Sequence, residues 1–94
     1  LEAITRYLAV ELAPRGIRVN AVAPGMVLTD ALQHFAALSQ TDTIPTAVRN
    51  TPAGRLVTPE DVAGVVAFLC SPSAAMIVGQ VITIDGGFTL TVPG

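Results

Sequence analysis

The 94-residue sequence contains no lysine and no tryptophan, and only one cysteine, one histidine and one tyrosine. Each scarcity excludes a kind of chemistry. One cysteine, Cys70, cannot build an intramolecular disulfide framework or a cysteine-rich zinc module. One histidine, His34, supplies no histidine set for a metal, so no metal ligands are expected. Five arginines against seven acids leave a net charge of −2 and no basic face for nucleic acid. The longest strongly apolar run, residues 62–70, is about half of what a membrane span needs. No basic segment precedes a short apolar core, so no signal peptide is read. The expectation is a soluble, cytoplasmic chain with neither nucleic acid nor membrane as partner. Tyr7 has no lysine to work with, so a mechanism needing a Tyr–Lys pair cannot be completed from these residues.

Apolar residues, by contrast, make up 51% of the chain at a mean hydropathy of +0.62, which excludes a disordered segment. The length allows one domain at most. Leu1, Ile4, Leu8 and Leu12 fall on one helical face, and Glu2 and Arg6 stand in the favourable i, i+4 order. No capping residue precedes Leu1, so the helix is expected to begin further upstream, in a longer domain.

Pro14 and Gly16 end that helix, and residues 17–22 read as a β-branched strand closed by Pro24-Gly25. A short helix is expected over 30–38, a loop over 39–45 and a helical turn over 46–50. Thr58, Pro59, Glu60 and Asp61 form a strong helix start: a cap, a proline at the first position and two acids at the positive end of the dipole. That helix is expected to reach Cys70, and its body is apolar on every face, so it needs cover on more than one side. Residues 80–84 read as a second strand, turned away by Asp85-Gly86-Gly87.

Helix, strand, long connection, helix, strand is the order of an α/β protein with a parallel sheet. Two parallel strands need neighbours and helices on both faces. The reading is therefore the C-terminal third of a doubly wound, Rossmann-like domain: two strands, two main helices and a lid segment over about 28–57, with residues 1–94 a partial domain whose N-terminal half is missing.

Ligands of such sheets bind beyond the C-terminal strand ends. The exit at 23–29 is the better candidate: Pro24 fixes direction, and Gly25 admits close approach of either a ligand or another backbone. Val27's backbone is placed to meet a planar amide, and the Thr29 hydroxyl to meet a phosphate or amide oxygen. Asp85-Gly86-Gly87 reads as a structural turn, and Cys70 as a small buried hydrophobe.

The residues also carry a family resemblance. E-A-I-T-R-Y-L-A-V-E-L-A-P-R-G-I-R-V-N (2–20), A-V-A-P-G-M-V-L-T (21–29), G-R-L-V-T-P-E-D-V-A (54–63) and G-Q-V-I-T-I-D-G-G (79–87) resemble four consecutive motifs of the short-chain dehydrogenases/reductases. T-D-A-L-Q-H-F (29–35), N-T-P-A-G-R (50–55) and M-I-V-G-Q (76–80) are most similar to the type III enoyl-acyl-carrier-protein reductases of fatty-acid synthesis. The 3-oxoacyl-acyl-carrier-protein reductases and sugar or steroid dehydrogenases share the later motifs. The resemblance implies that Pro24, Gly25, Val27 and Thr29 flank the nicotinamide of NAD or NADP. It implies that Ala31, Leu32, His34 and Phe35 belong to a substrate-binding lid for an acyl thioester on acyl carrier protein. It places the catalytic tyrosine and lysine before Leu1, so no catalytic residue is assigned here and the 94 residues alone are expected to be inactive. It further implies a homodimer or homotetramer. The reading of a different class is a non-catalytic truncated chain.

Overall fold

The computed structural model describes residues 1–40 and 42–91. Its elements are α1 (Glu2–Leu12), β1 (Ala21–Pro24), α2 (Asp30–Ser39), α3 (Thr43–Arg49), α4 (Pro59–Leu69), β2 (Val81–Ile84) and α5 (Phe88–Thr91). The strands pair in one two-stranded sheet. Ala21 N–H donates to Gln80 C=O at 2.9 Å and Gly25 N–H to Ile84 C=O at 2.8 Å. Both partners advance together along the chain, so the pairing is parallel, as the sequence order requires. The chain divides into two compact units, Leu1–Ala23 with Ala63–Thr83, and Pro24–Val62 with Ile84 onward.

In the first unit, α1 ends where expected, in a 3₁₀ turn over Ala13–Arg15 closed by Gly16 in the left-handed region. The face that packs within these residues is not the large apolar one. Thr5 and Ala9 are buried, whereas Leu1, Ile4 and Leu8 are exposed at 72, 64 and 38%. Small residues win because the backbone comes close: a Cβ on Gly79 would sit 3.2 Å from Ala9 Cβ. The large apolar face has no cover among the described residues.

The expected strand over 17–22 is shifted to Ala21–Pro24. Residues 18 and 20 turn their side chains to other work. Asn20 Oδ1 accepts from Gln80 N–H at 3.0 Å and its Nδ2 donates to Ile77 C=O at 2.8 Å, so a side chain stands in for the ladder there. Arg18 donates to Leu69 C=O at 2.8 Å, Ala74 C=O at 2.9 Å and Ser71 C=O at 3.4 Å. It gathers the carbonyls at the negative end of α4 and the turn that follows.

The start of α4 is the predicted one and is stronger than predicted. Thr58 Oγ1 accepts from Asp61 N–H at 3.2 Å, and Asp61 Oδ2 accepts from Thr58 N–H at 2.8 Å, a reciprocal capping box. Arg55 grips the same carboxylate through both its terminal nitrogens, at 2.7 and 3.1 Å. The guanidinium, then the Thr58 N–H, holds the Asp61 carboxyl well below the usual carboxylate range. A depressed folded-state value adds stability above the ordinary carboxylate pKa and loses it as pH falls. The stability gap between the native chain and Asp61→Asn is therefore expected to be full above about pH 5 and to shrink below about pH 4. Urea unfolding at stepped pH reads it, and a gap constant with pH contradicts it. The helix body remains only partly covered, with Val66 and Phe68 exposed at 42 and 48%. The cysteine after it, Cys70, is exposed and free rather than buried.

The segment read as irregular over 26–57 holds two helices. The helix from Asp30 is as expected and ends at Gln40 in the left-handed region. The expected loop over 39–45 is cut short by α3, which begins at Thr43. Pro45 lies in its first turn, where the missing N–H has no acceptor to lose. Asp42 accepts from Thr46 Oγ1 at 3.2 Å and Arg49 Nη2 at 3.0 Å, which braces the helix from outside. Among the described residues no helix is long and apolar enough to cross a membrane.

Candidate functional site

The residues singled out at the first strand's exit all lie in the second unit. Pro24 closes β1. Gly25 is there for a backbone: a Cβ would stand 2.9 Å from Asp85 Cβ and 3.3 Å from Asp85 Cα. Of the two approaches that Gly25 leaves open in the sequence, the structure supplies the protein one, at the exit of β2.

Val27 forms an isolated parallel bridge with Val57. The bond is made by its neighbour, since Leu28 N–H donates to Val57 C=O at 2.7 Å. In a parallel bridge of this kind one residue uses both its peptide groups and the other turns them to the opposite side. Val57 is the first and Val27 the second. Val27 N–H and C=O therefore point away from Val57 and have no hydrogen-bond partner among the described residues. A donor and an acceptor side by side on a strand edge match a primary carboxamide.

Two residues on, Thr29 caps α2, its Oγ1 accepting from Leu32 N–H at 3.1 Å. The cap uses the oxygen's lone pair and leaves the hydroxyl proton for a second acceptor. The cap and the sequence-expected ligand contact are thus compatible.

On α2, Ala31, His34 and Phe35 share one face with Leu38, and all four are exposed. Leu32 is half-buried with Ala36 on the adjacent face, so it stands apart from the other three residues assigned to the lid. Phe35 and Leu38 are 62 and 70% exposed, which makes this face apolar and open. Tyr7 belongs to the first unit, is 69% exposed and has Glu11 at i+4.

Asp85 closes β2 as a turn residue. It accepts from Thr89 Oγ1 at 2.7 Å, Thr89 N–H at 3.0 Å and Gly87 N–H at 2.9 Å. These donors, Thr89 first, hold its carboxyl below the usual range. Both arginines of this unit are committed, Arg49 to Asp42 and Arg55 to Asp61. Among the described residues no group of side chains could hold a metal ion. Sequence reasoning did not reach the small cavity lined by Gly25, Met26, Ala47, Val57 and Phe88, because its walls come from four separate stretches of chain.

The family model described as Enoyl-(Acyl carrier protein) reductase matches residues 1–89. The fold and sequence also match a crystal structure of a short chain dehydrogenase family protein from Francisella tularensis, with a TM-score of 0.81 and 33% identity over 95% of this chain and 40% of that one. The chain belongs to the short-chain dehydrogenase/reductase family. It is similar to the 7alpha-hydroxysteroid dehydrogenase of Escherichia coli K12, 39% identical over 84 residues that cover 89% of this chain and 32% of the enzyme. It is also similar to the structure of ElxO with NADP bound, with a TM-score of 0.81 and 35% identity over 95% of this chain and 36% of that one. The chain spans about a third of the length of the curated relatives it matches. A steroid dehydrogenase among the relatives shows that the family match alone does not single out an enoyl thioester substrate.

Proposed function

We propose that this chain is the nicotinamide-side wall and the lid of an NAD(P)-dependent oxidoreductase acting on a carbonyl or secondary alcohol. The observation that carries it is the outward-facing amide pair of Val27, with the Thr29 hydroxyl two residues further on. That arrangement fits the cofactor. Val27 N–H would donate to the carboxamide oxygen, its C=O would accept from the carboxamide nitrogen, and Thr29 would donate to a phosphate or amide oxygen. Pro24 and Gly25 fix where this edge begins. The likeness to ElxO, solved with NADP, supports NADP, and NAD remains in the same reading. The bound nicotinamide supplies hydride; the chain's part is to fix the ring's orientation and to cover the reacting carbon. Ala31, His34 and Phe35 offer an open apolar cover, and Leu32 holds the helix from its inner side.

A second substrate reading is reduction of an enoyl thioester on acyl carrier protein, which the family model's description favours. A 3-oxoacyl thioester combines that carrier with the carbonyl chemistry of the first reading. With no lysine, and with Glu11 at i+4 from Tyr7, we place the proton donor outside these residues and propose that the 94 residues alone turn over no substrate. The exposed Val66 and Phe68 on α4 support a homodimer or homotetramer, and the cytoplasm is the compartment we propose.

Thr29 tests the cofactor reading. Thr29→Asp keeps an N-cap acceptor but removes the hydroxyl proton, whereas Thr29→Ser keeps both. NADP+ titrated against the whole protein that carries this chain is expected to bind several-fold more weakly to Thr29→Asp, with thermal stability retained, and normally to Thr29→Ser. Equal affinity in all three overturns Thr29's contact. NADPH oxidation with cyclohexanone but not with a crotonyl thioester supports the first substrate reading, and the converse supports the second.

A further inference from the structure

The geometry points to a binding site for a small apolar group, one aromatic ring or a short alkyl chain, in the cavity of the second unit beside Val27. The cavity measures about 220 Å³. Roughly 150 Å³ lined by apolar side chains is enough to take a benzene ring. Its floor is made of Thr51, Leu56 and Val57, three of the few buried residues in the chain, each less than 8% exposed. Met26 and Phe88 stand at the rim, 43 and 37% exposed, so the cavity has a mouth.

The polar groups in the walls are already used. Thr51 Oγ1 donates to Ala47 C=O at 2.7 Å. The Asp85 carboxylate accepts from Gly87 and Thr89, and Gly25 N–H is bonded to Ile84. Most of the lining is apolar, which favours an apolar occupant over water. A polar ligand would give up more solvent hydrogen bonds than these walls return. An uncharged apolar group gains by leaving water and leaves no hydrogen bond behind.

Position gives the occupant a consequence. Met26 precedes Val27 in the chain, and Val57 both floors the cavity and fixes Leu28. An occupant packed between them steadies the segment whose outer edge is the Val27 amide pair. This coupling rests on the cofactor reading above; the site itself does not.

The chain has two methionines, and the second, Met76, is 93% exposed. Their methyl resonances therefore make a probe and its control. Toluene added to the whole protein that carries this chain is expected to shift the Met26 methyl upfield and saturably, and to leave Met76 in place. Glycerol, polar and of comparable size, is expected to shift neither. Ala47→Leu, or the smaller Ala47→Val if the first does not fold, fills the cavity and is expected to abolish the shift. NADP+ is expected to bind several-fold more tightly in the presence of toluene. Methionine signals that move alike and without saturation overturn the site, as does a shift that survives both filled variants. A saturable Met26 shift with unchanged NADP+ affinity overturns the coupling. A Met26 shift in a protein that binds no NADP+ under any condition overturns the cofactor reading and leaves the site standing. A toluene effect removed by saturating ketone assigns the cavity to the substrate's own apolar part, and one that persists assigns it to a separate ligand.

Discussion

Gly86→Ala is expected to destabilise the fold by about 2–5 kcal/mol. Gly86 has φ of +63°, and a Cβ there would meet Thr51 Cγ2 at 2.8 Å and Ala53 Cβ at 3.0 Å. The left-handed backbone costs an alanine about 1–2 kcal/mol, and forcing a methyl into filled space costs about 1–3 kcal/mol more. The neighbours have little freedom to yield. Thr51 is buried and bonded to Ala47, and Ala53 N–H donates to Gly86 C=O at 3.0 Å. Gly54→Ala separates the two costs. Gly54 has φ of +83° with nothing within 4 Å of the added atom, so only the backbone cost of about 1–2 kcal/mol is expected there. Urea unfolding of the two variants side by side checks both figures. Equal losses would show that the turn over 86–87 is not held against residues 51–53 as the structure has it.

Arg18→Met is expected to cost about 2–4 kcal/mol, because hydrogen bonds from a charged donor contribute about 1.5–3 kcal/mol and part-buried carbonyls are left behind. Methionine keeps most of the apolar stem, so the loss reports the guanidinium. The three carbonyls it gathers, of Leu69, Ser71 and Ala74, lie more than fifty residues away in sequence. Lysine at this position is expected to recover only part of the loss, since one ammonium cannot span the same three acceptors. Arg6→Met is the control. Its ion pair with Glu2 at 3.2 Å is exposed on both sides, and a change within about 1 kcal/mol is expected from its removal. Thermal or urea unfolding distinguishes the two arginines, and an Arg18→Met variant as stable as Arg6→Met contradicts the role given to Arg18.

Much of the backbone around the candidate site was legible because it is local. Pro24-Gly25 ends a strand, Thr29 starts a helix and Thr58 with Asp61 starts another; in each case a few neighbouring residues determine the backbone. The sequence grouped Ala31, Leu32, His34 and Phe35, and the structure separates Leu32, half-buried, from the three exposed residues. The helix α3 was less legible because Pro45 reads as a breaker unless the helix start is known to lie two residues before it. The strand over 17–22 was misplaced because β-branched composition marks extended chain, whereas a ladder also needs a partner, and here Asn20 side-chain bonds occupy the partner's place.

The buried face of α1 separates the two kinds of information most clearly. Periodicity marks Leu1, Ile4 and Leu8 as the face to be covered, and the chain buries Thr5 and Ala9 instead, beside Gly79. The sequence by itself determined the end of α1, the starts of α2 and α4, the parallel α/β order and the family, because these rest on caps, dihedral limits and motifs within a few residues of one another. Tertiary structure decided which face packs, why Gly25 must be glycine, which way the Val27 peptide groups turn, and what Arg18 holds. Those outcomes depend on approaches between segments thirty to seventy residues apart, where a tenth-nanometre difference in backbone separation selects a small side chain over a large one.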